Sequence, residues 1–489
     1  MLTPLDPKQW DLTKAAHLLN RAAFGGTPED IDALHSLGFE SAVHSVLNAP
    51  DDSHLFPKPA EVAPINLPAM REQVKMLPEE ERKKKLKEML KADRGSMFGL
   101  ISWWIDRMYR TPGPLREKLT LFWHGHFATS AQKVKQSFLM WQQNEMLREH
   151  ALGNFGAMTK AVSRDPAMMV YLDTRQSNKA HPNENFAREL MELFTLGIGN
   201  YTEDDIKASA RAFTGYKINP QDESFRFAPF QHDGGEKTFF GKTGNFGGDD
   251  IIDMILQKPA CAQFIAKKLW TFFAYENPAP GVLMPLADSF RANNYEIKPL
   301  MQEIFRSAEF YSPAAIRTQI KSPVQWLIGT GKILDTQPQQ GLVSVNALRQ
   351  MGQVPFGPPS VKGWDGGKAW ITTSTLLLRY NLANFALGNG PMNVQPMRKV
   401  AVANKSGKPG FDVQNRTPVD FSKIAPQDLR GDPDKLVAHL TWRLFQSKLT
   451  ARDTQPFVDF LKKKNNDTSD QTIRDLLHLM MSTPQYQLT

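Results

Sequence analysis

Apolar residues along this chain recur mostly at helical spacing, and period-two runs rich in Val, Ile and Thr are scarce. The pattern predicts a mainly α fold: a large multi-helix body with helical hairpins, irregular loops and at most a few short strands. The N-terminal part reads as three helices, KAAHLLNRAAFG, TPEDIDALHSLG and FESAVHSVLNAP, each closed by Gly or Pro. Thr27-Pro28-Glu29-Asp30 is a helix start of the capping-box kind. A charged helix, PEEERKKKLKEML, has few large apolar positions and is expected to cover the core. Residues 96–130 read as two long buried helices broken at Thr111-Pro112-Gly113-Pro114. LADSFRANNYEIKPLMQEIFRSAEFY resembles FVDFLKKKNNDTSDQTIRDLLHLMMSTPQYQ, and both follow an aromatic helix (KKLWTFF, HLTWRLF). Two copies make no solenoid, so the expectation is a pair of helical hairpins within one body.

Three stretches break the helical pattern. Residues 225–248 and 354–373 are rich in Gly, Phe, Pro and Asp and read as shaped surface loops, the first with short strands. Residues 401–425 are rich in Gly, Lys, Asn and Pro and read as a flexible connection. The division that follows is a body over 1–400, with a site region at 115–235, and a C-terminal helical hairpin over 426–489.

The densest chemistry lies between His181 and Tyr216, where six carboxylates and two arginines surround two short helical patterns. Asn183 is an N-cap, Gly197 closes the first helix, and Thr202 with Asp205 opens the second. A helical wheel puts Phe186, Leu190, Leu193 and Phe194 on a buried stripe with Asn185 and Glu189 at its edge. Glu184, Arg188 and Glu192 fall on an outward line where they can form an ion-pair ladder. Glu189, nearer the core, fits a site role better than a ladder does.

His124 and His126 in LREKLTLFWHGHFATS add imidazoles. On a helix, residues i and i+2 point about 200° apart, so His126 should face inward and His124 diverge; if the helix ended near Gly125 the two could converge on a metal. His232-Asp233, in a Gly-rich loop, adds a third imidazole beside a carboxylate. Together with Glu189 these residues make a His/Glu/Asp set of the kind that zinc, iron or manganese sites use. The alternative is that each is an ordinary hydrogen-bonded residue. Arg188 and Asn185 are candidates for orienting a substrate. Trp364 and Trp370, with Phe356, lie in PFGPPSVKGWDGGKAW, which could stack on sugar rings or wedge helical layers together.

Composition narrows the field. The net charge of +8 is modest for 489 residues, and its lysine runs are not interleaved with aromatics, so a nucleic-acid track is not expected. The single cysteine, Cys261, allows no intrachain disulfide and reads as a buried thiol. No window approaches the ~18 apolar residues of a membrane span, and the N-terminus carries no secretory pattern. A cytoplasmic location is the expectation, with export in company of a signal-bearing partner as the alternative. P-loop, Rossmann, nucleophile-elbow and HExxH motifs are absent from the sequence.

Taken in order, AAHLLNRAAFG, LTLFWHGHFAT, LREHALGNF, DPAMMVYLD, NENFARELMELFTLGIGNYTEDDI, ARAFTGY, the HD loop, KSP at 321–323 and GWDGG with LLLRYNLAN resemble the DUF1800 family of bacterial proteins of unknown function. The resemblance spans nearly the whole chain and implies a helical fold, export, and a sulfatase-like (DUF1501-type) partner. It also implies that these motifs form one site. Gly125 departs from it, standing where the family pattern often has asparagine. The resulting expectation is an enzyme, hydrolytic or oxidative, with a His/carboxylate site of Glu189, Arg188, Asn185, His124, His126, His232 and Asp233. It would act, with or without a divalent metal, on a carbohydrate or cell-envelope substrate. The alternatives are a non-catalytic partner or maturation factor of a sulfatase-like enzyme, and a carbohydrate-binding scaffold.

Overall fold

The computed structural model describes residues 1–64, 72, 74–337, 341–388 and 418–489. The fold is mainly helical, with two antiparallel two-stranded hairpins, Tyr216–Ile218 with Phe225–Phe227 and Lys237–Phe239 with Lys242–Gly244. The second hairpin and the return strand of the first fall in the 225–248 stretch whose pattern leaves helical spacing, while the strand Tyr216–Ile218 precedes it. Among the described residues no helix is long and apolar enough to cross a membrane.

Local signals place the helix ends. Thr27 and Asp30 exchange both bonds of a capping box, as do Thr202 and Asp205. The N-terminal helices are Leu12–Ala22, Pro28–Ser36 and Phe39–Leu47. The charged segment is no separate helix: it runs on into the apolar one as a single element, Glu79–Arg110, which stops before Pro112. The next helix, Pro114–His126, starts on the proline at its first position.

The suspected repeat takes the same form twice. Helices Pro280–Ala292 and Ile297–Arg306 end in a 3-10 turn at Glu309–Tyr311; Ala451–Lys463 and Asp470–Met481 end in one at Pro484–Gln487. Each hairpin turns through two consecutive left-handed residues, Asn294-Tyr295 and Asn465-Asn466, and each final turn buries an aromatic, Phe310 or Tyr486. The described C-terminal part holds three helices rather than one hairpin, because Pro433–Phe445 precedes the pair. Most of the proposed 401–425 connection lies outside the described residues, and its end, at Phe421–Ile424, is a short helix.

Two large apolar clusters make up the interior. One joins the N-terminal helices to the helices around Phe155, Phe194, Ile265 and Phe305. The other joins the Glu79–Arg110 helix to Val324, Leu348 and the C-terminal helices, so the C-terminal part shares a core with the body. The helix Pro114–His126 contributes to both: Leu119 and Trp123 to the first, Leu121 to the second.

Candidate functional site

That position between two cores decides the fate of the two histidines. Their divergence of about 200° on the helix sends each into a different cluster. His126 sits among Phe122, Trp123, Phe127, Phe155 and Phe194. His124 sits among Trp104, Phe356 and Trp364. Both are buried, so the expectation of one inward and one outward ring holds for direction and fails for exposure.

Each imidazole makes a hydrogen bond to the main chain. The backbone N–H of Phe356 donates to His124 Nε2 at 2.9 Å, which requires a neutral ring protonated on Nδ1. Burial pushes the His124 pKa down to about 3. His126 Nε2 lies 2.9 Å from the carbonyl oxygen of Phe194 and donates to it, while Lys268 Nζ donates to His126 Nδ1 at 3.2 Å. Burial, then the Lys268 charge, push the His126 pKa well down against the opposing pull of that carbonyl.

The Phe194 carbonyl needs a partner because of how the helix ahead of it ends. The segment Glu184–Glu189 is α-helical, but Leu190–Thr195 winds as a π-helix. Its last carbonyls have no partner further along the helix. His126 satisfies Phe194 and Lys268 satisfies Leu193, at 3.3 Å. His126 and Lys268 therefore cap this helix end, and Lys268 adds a favourable charge there. Burial lowers the Lys268 pKa to about 8. Sequence reasoning missed this lysine, although Phe264, Lys268 and Phe272 stand at i, i+4 and i+8 on one aromatic line.

His232 and Asp233 are engaged elsewhere. His232 Nδ1 donates to the Thr214 carbonyl at 2.9 Å. Arg211 clamps Asp233 through two bonds of 2.6 and 3.1 Å, and this arginine is the main cause of the lowered Asp233 pKa. Lys237 donates to the carbonyls of Asp233 and Gly235. The set His124, His126, His232, Asp233 and Glu189 is thus not brought into one coordination sphere. Among the described residues no group of three or more His, Cys, Asp or Glu side chains is placed to hold a metal ion.

Around the helix 184–195 the wheel is partly corrected. Asn185 is exposed, not at the core edge, and Arg188 is fixed by two parallel bonds to Glu203 at 2.8 and 2.9 Å and by Glu184 at 3.4 Å. Glu192 does not join that ladder; it accepts a hydrogen bond from the Tyr201 hydroxyl at 2.9 Å. A wheel drawn at about 100° per residue loses phase once the winding becomes π, which is why Glu192 was misplaced.

Glu189 is different. It is half-buried and makes no hydrogen bond or ion pair with any described residue. Burial, then the charge of Glu192, raise its pKa, while Arg188 and Lys362 act against them. Its charge is felt in turn by Tyr171, whose pKa burial and Glu189 both raise. Lys362 belongs to the loop 354–372, which docks onto the end of the Pro114–His126 helix. At Gly363, φ is +80° and a Cβ would overlap the carbonyl oxygen of Gly125, so only glycine permits this backbone approach. Trp364 then covers Gly125, where an added Cβ would meet its ring at an ordinary 3.5 Å. Trp364 is half-buried, its indole Nε1 enclosed without a partner, whereas Trp370 is buried against the helix end at Gly352 and serves as a wedge.

Behind His124 lies a buried charge lattice. Glu117 accepts from Trp104 Nε1 at 2.8 Å, Arg107 Nε at 2.7 Å and Arg148 Nε and Nη2 at 2.5 and 3.0 Å. Arg107 also pairs with buried Asp52 at 2.7 Å. Burial raises the Glu117 pKa, but Arg148 and Arg107 outweigh it and hold the carboxyl below its usual value.

Three motif segments thus meet in space: the end of FWHGH, the helix carrying Glu189, and the loop carrying Lys362, Gly363 and Trp364. No curated protein and no solved structure matches the chain. A family model described as "Protein of unknown function (DUF1800)" matches residues 17–488, and with nearly the whole chain covered, this protein belongs to the DUF1800 family.

Proposed function

We propose that this protein is an enzyme that works by carboxylate acid/base chemistry on a carbohydrate of the cell envelope, with Glu189 as the proton donor. The observation that carries the reading is that Glu189, alone of the carboxylates first singled out, is half-buried, unpaired and raised in pKa. Glu117 and Asp233 are pinned by arginines and Asp205 by a capping box; a carboxyl kept free and harder to ionise is the form a general acid needs near neutral pH. Glu192, held by Tyr201, is the second carboxylate of the pair, as in acid/base cleavage of glycosides. The half-buried Trp364 would offer a stacking face for a sugar, and the exposed Lys362 suits an anionic substituent. His124 and His126 support the scaffold in this reading, and Arg188 is too firmly paired to bind substrate.

The test is release of reducing ends from a panel of cell-envelope glycans by the wild-type chain and by Glu189→Gln. Loss of about 100-fold or more in rate, with an unchanged melting temperature, is expected for Glu189→Gln. Absence of turnover across the panel, or turnover indifferent to Glu189→Gln, would overturn the proposal.

A second reading, a non-catalytic partner or maturation factor of a sulfatase-like enzyme, is favoured by the Glu117–Arg107–Arg148 lattice and by histidines satisfied by backbone. It predicts a stoichiometric complex with such an enzyme that Glu189→Gln leaves intact. Separate elution of the two purified proteins would count against it.

A further inference from the structure

Phe230, at 91%, is the most exposed aromatic among the described residues. A single exposed apolar side chain is common on protein surfaces, but this one is held out by an ordered turn. It sits in the 3-10 turn Pro229–Gln231, which backbone bonds tie down on both sides. The Ala228 N–H donates to the Gly215 carbonyl at 2.8 Å, and the Lys179 N–H donates to the Gln231 carbonyl at 2.8 Å. The bond from the His232 ring to the Thr214 carbonyl fixes the turn further. Gly215, at φ +81°, permits the close approach, since a Cβ there would lie 2.8 Å from the Ala228 carbonyl oxygen and 3.1 Å from His232. Phe227, 43% exposed, stands beside the turn with its ring centroid 5.2 Å from that of His232. The fold thus presents two phenylalanines and exposed Pro229 at a fixed tip.

The ground around the tip is basic. Residues 174–182 and 215–232, which these bonds bring together, carry Arg175, Lys179, Lys217 and Arg226 against two carboxylates, Asp222 and Glu223. Glu223 is buried and accepts from Gln136, and Asp222 is drawn into the hairpin turn by Ser224. At the margins Asp173 pairs with Lys133 and Asp233 with Arg211. Arg175, Lys179 and Arg226 are exposed, and none makes an ion pair with any described residue. Lys217 donates to the Arg175 and Ser177 carbonyls at 2.8 and 3.0 Å and faces Arg226 across the hairpin. Burial, then the Arg226 charge, lower the Lys217 pKa.

Exposed aromatics with free cations beside them match one kind of surface. A specific protein interface buries on the order of 1,000 Å² or more around a packed apolar centre, and two rings and a proline do not supply one. An anionic bilayer asks for less: rings that sink to the level of the headgroups, and cations that meet the lipid phosphates. We propose that the Phe230 tip is a peripheral anchor for an anionic lipid surface. Phe230 and Phe227 enter the headgroup layer, while Lys179, Arg175 and Arg226 supply the charge that draws the tip to it. Residues 179–182 run directly into Asn183, the N-cap of the helix that carries Glu189, so the anchor sets that helix beside the membrane. The inference does not depend on Glu189 being catalytic.

The test is co-sedimentation of the full chain with two kinds of vesicle, pure phosphatidylcholine and an equal mixture of phosphatidylcholine with phosphatidylglycerol. Binding to the anionic vesicles alone is expected, weakening as sodium chloride is raised. Each basic group near such a surface is worth about a fivefold gain in partition. Lys179→Glu, which changes the charge by two, should therefore lower partition at least about tenfold. Phe230→Ser should lower it at least about fivefold, and Phe230→Trp, which keeps an aromatic at the tip, should retain it. Both Lys179 and Phe230 stand in solvent, so the melting temperature should not change in any of these variants. No binding to the anionic vesicles, equal binding to both kinds, or binding that Lys179→Glu or Phe230→Ser leaves unchanged would sink the proposal.

Discussion

Asp165 is a buried carboxyl with no cation beside it, and replacing it by Asn should make the protein more stable at neutral pH. It caps the helix Pro166–Tyr171 by accepting from the Met168 N–H at 2.7 Å, and it accepts from Gln143 Nε2 at 2.7 Å. Burial raises its pKa from the ordinary 3.8 to about 7, against the pull of the Met168 N–H, Gln143 and the Ala167 N–H. Between those two values the folded state keeps the proton that the unfolded state has lost. Stability attributable to this group is therefore fully present below the unfolded pKa and declines as pH rises toward 7. The interval from 3.8 to about 7 corresponds to roughly 4 kcal/mol as an upper bound. Asparagine retains the capping oxygen and does not titrate, and the free Oε1 of Gln143 can turn to receive its amide. Urea unfolding of wild type and Asp165→Asn from about pH 4 to about pH 8.5 should give nearly equal stabilities at the acid end. The variant's advantage should grow to a few kcal/mol by neutral pH and then level off. A difference between the two proteins that does not change with pH would refute the reasoning.

Other expectations follow from the same geometry. Glu117→Gln leaves Arg148 and Arg107 buried beside a neutral group, and a loss of about 3–5 kcal/mol in urea unfolding is expected. Gly363→Ala forces a side chain into φ +80° and against the Gly125 carbonyl, whereas Gly125→Ala meets only Trp364 at 3.5 Å in a helix that favours alanine by about 1 kcal/mol. The first should lower the melting temperature markedly and the second should leave it level or higher. His126→Ala orphans the buried Phe194 carbonyl and should cost about 1–3 kcal/mol beyond the lost packing in urea unfolding, and His126→Asn, whose amide can donate to that carbonyl, should recover part of the loss. Lys268, with its pKa lowered to about 8 by burial, binds its proton less tightly folded than unfolded. Wild type should accordingly gain stability relative to Lys268→Met as pH rises from about 8 to the unfolded lysine value, a trend that hydrogen-bond loss alone would not produce.

Much of the fold is legible residue by residue. Thr27 with Asp30, Thr202 with Asp205, and Pro114 at a first helical position mark ends that the structure reproduces, because caps and prolines act within one turn of chain. The paired hairpins are visible for the same reason, since each needs only its own apolar period, its Asn turn and its aromatic tail. The site is legible only in part. Glu189 stands out by its place at the edge of an apolar stripe, and the Glu184–Arg188 pair of the outward line is present, but Glu192 leaves that line because nothing in the pattern announces that the winding changes to π after Glu189. Lys362 and Trp364 can be read as loop residues and no further, since their relation to Glu189 and Gly125 depends on a glycine contact across the fold.

The histidines draw the line most sharply. Sequence alone determines that His124 and His126 diverge, because two steps along a helix fix their angle. It does not determine what each one meets. His124 finds its partner 232 positions away at Phe356, and His126 finds one 68 positions away at Phe194. Local hydrogen bonding and periodicity decide helices, caps and faces, and these are written in neighbouring residues. Which buried group satisfies which is decided when two cores close on opposite sides of one helix. That closure gave each histidine a separate main-chain partner in place of a shared metal and left Glu189 without a hydrogen bond or ion pair to any described residue.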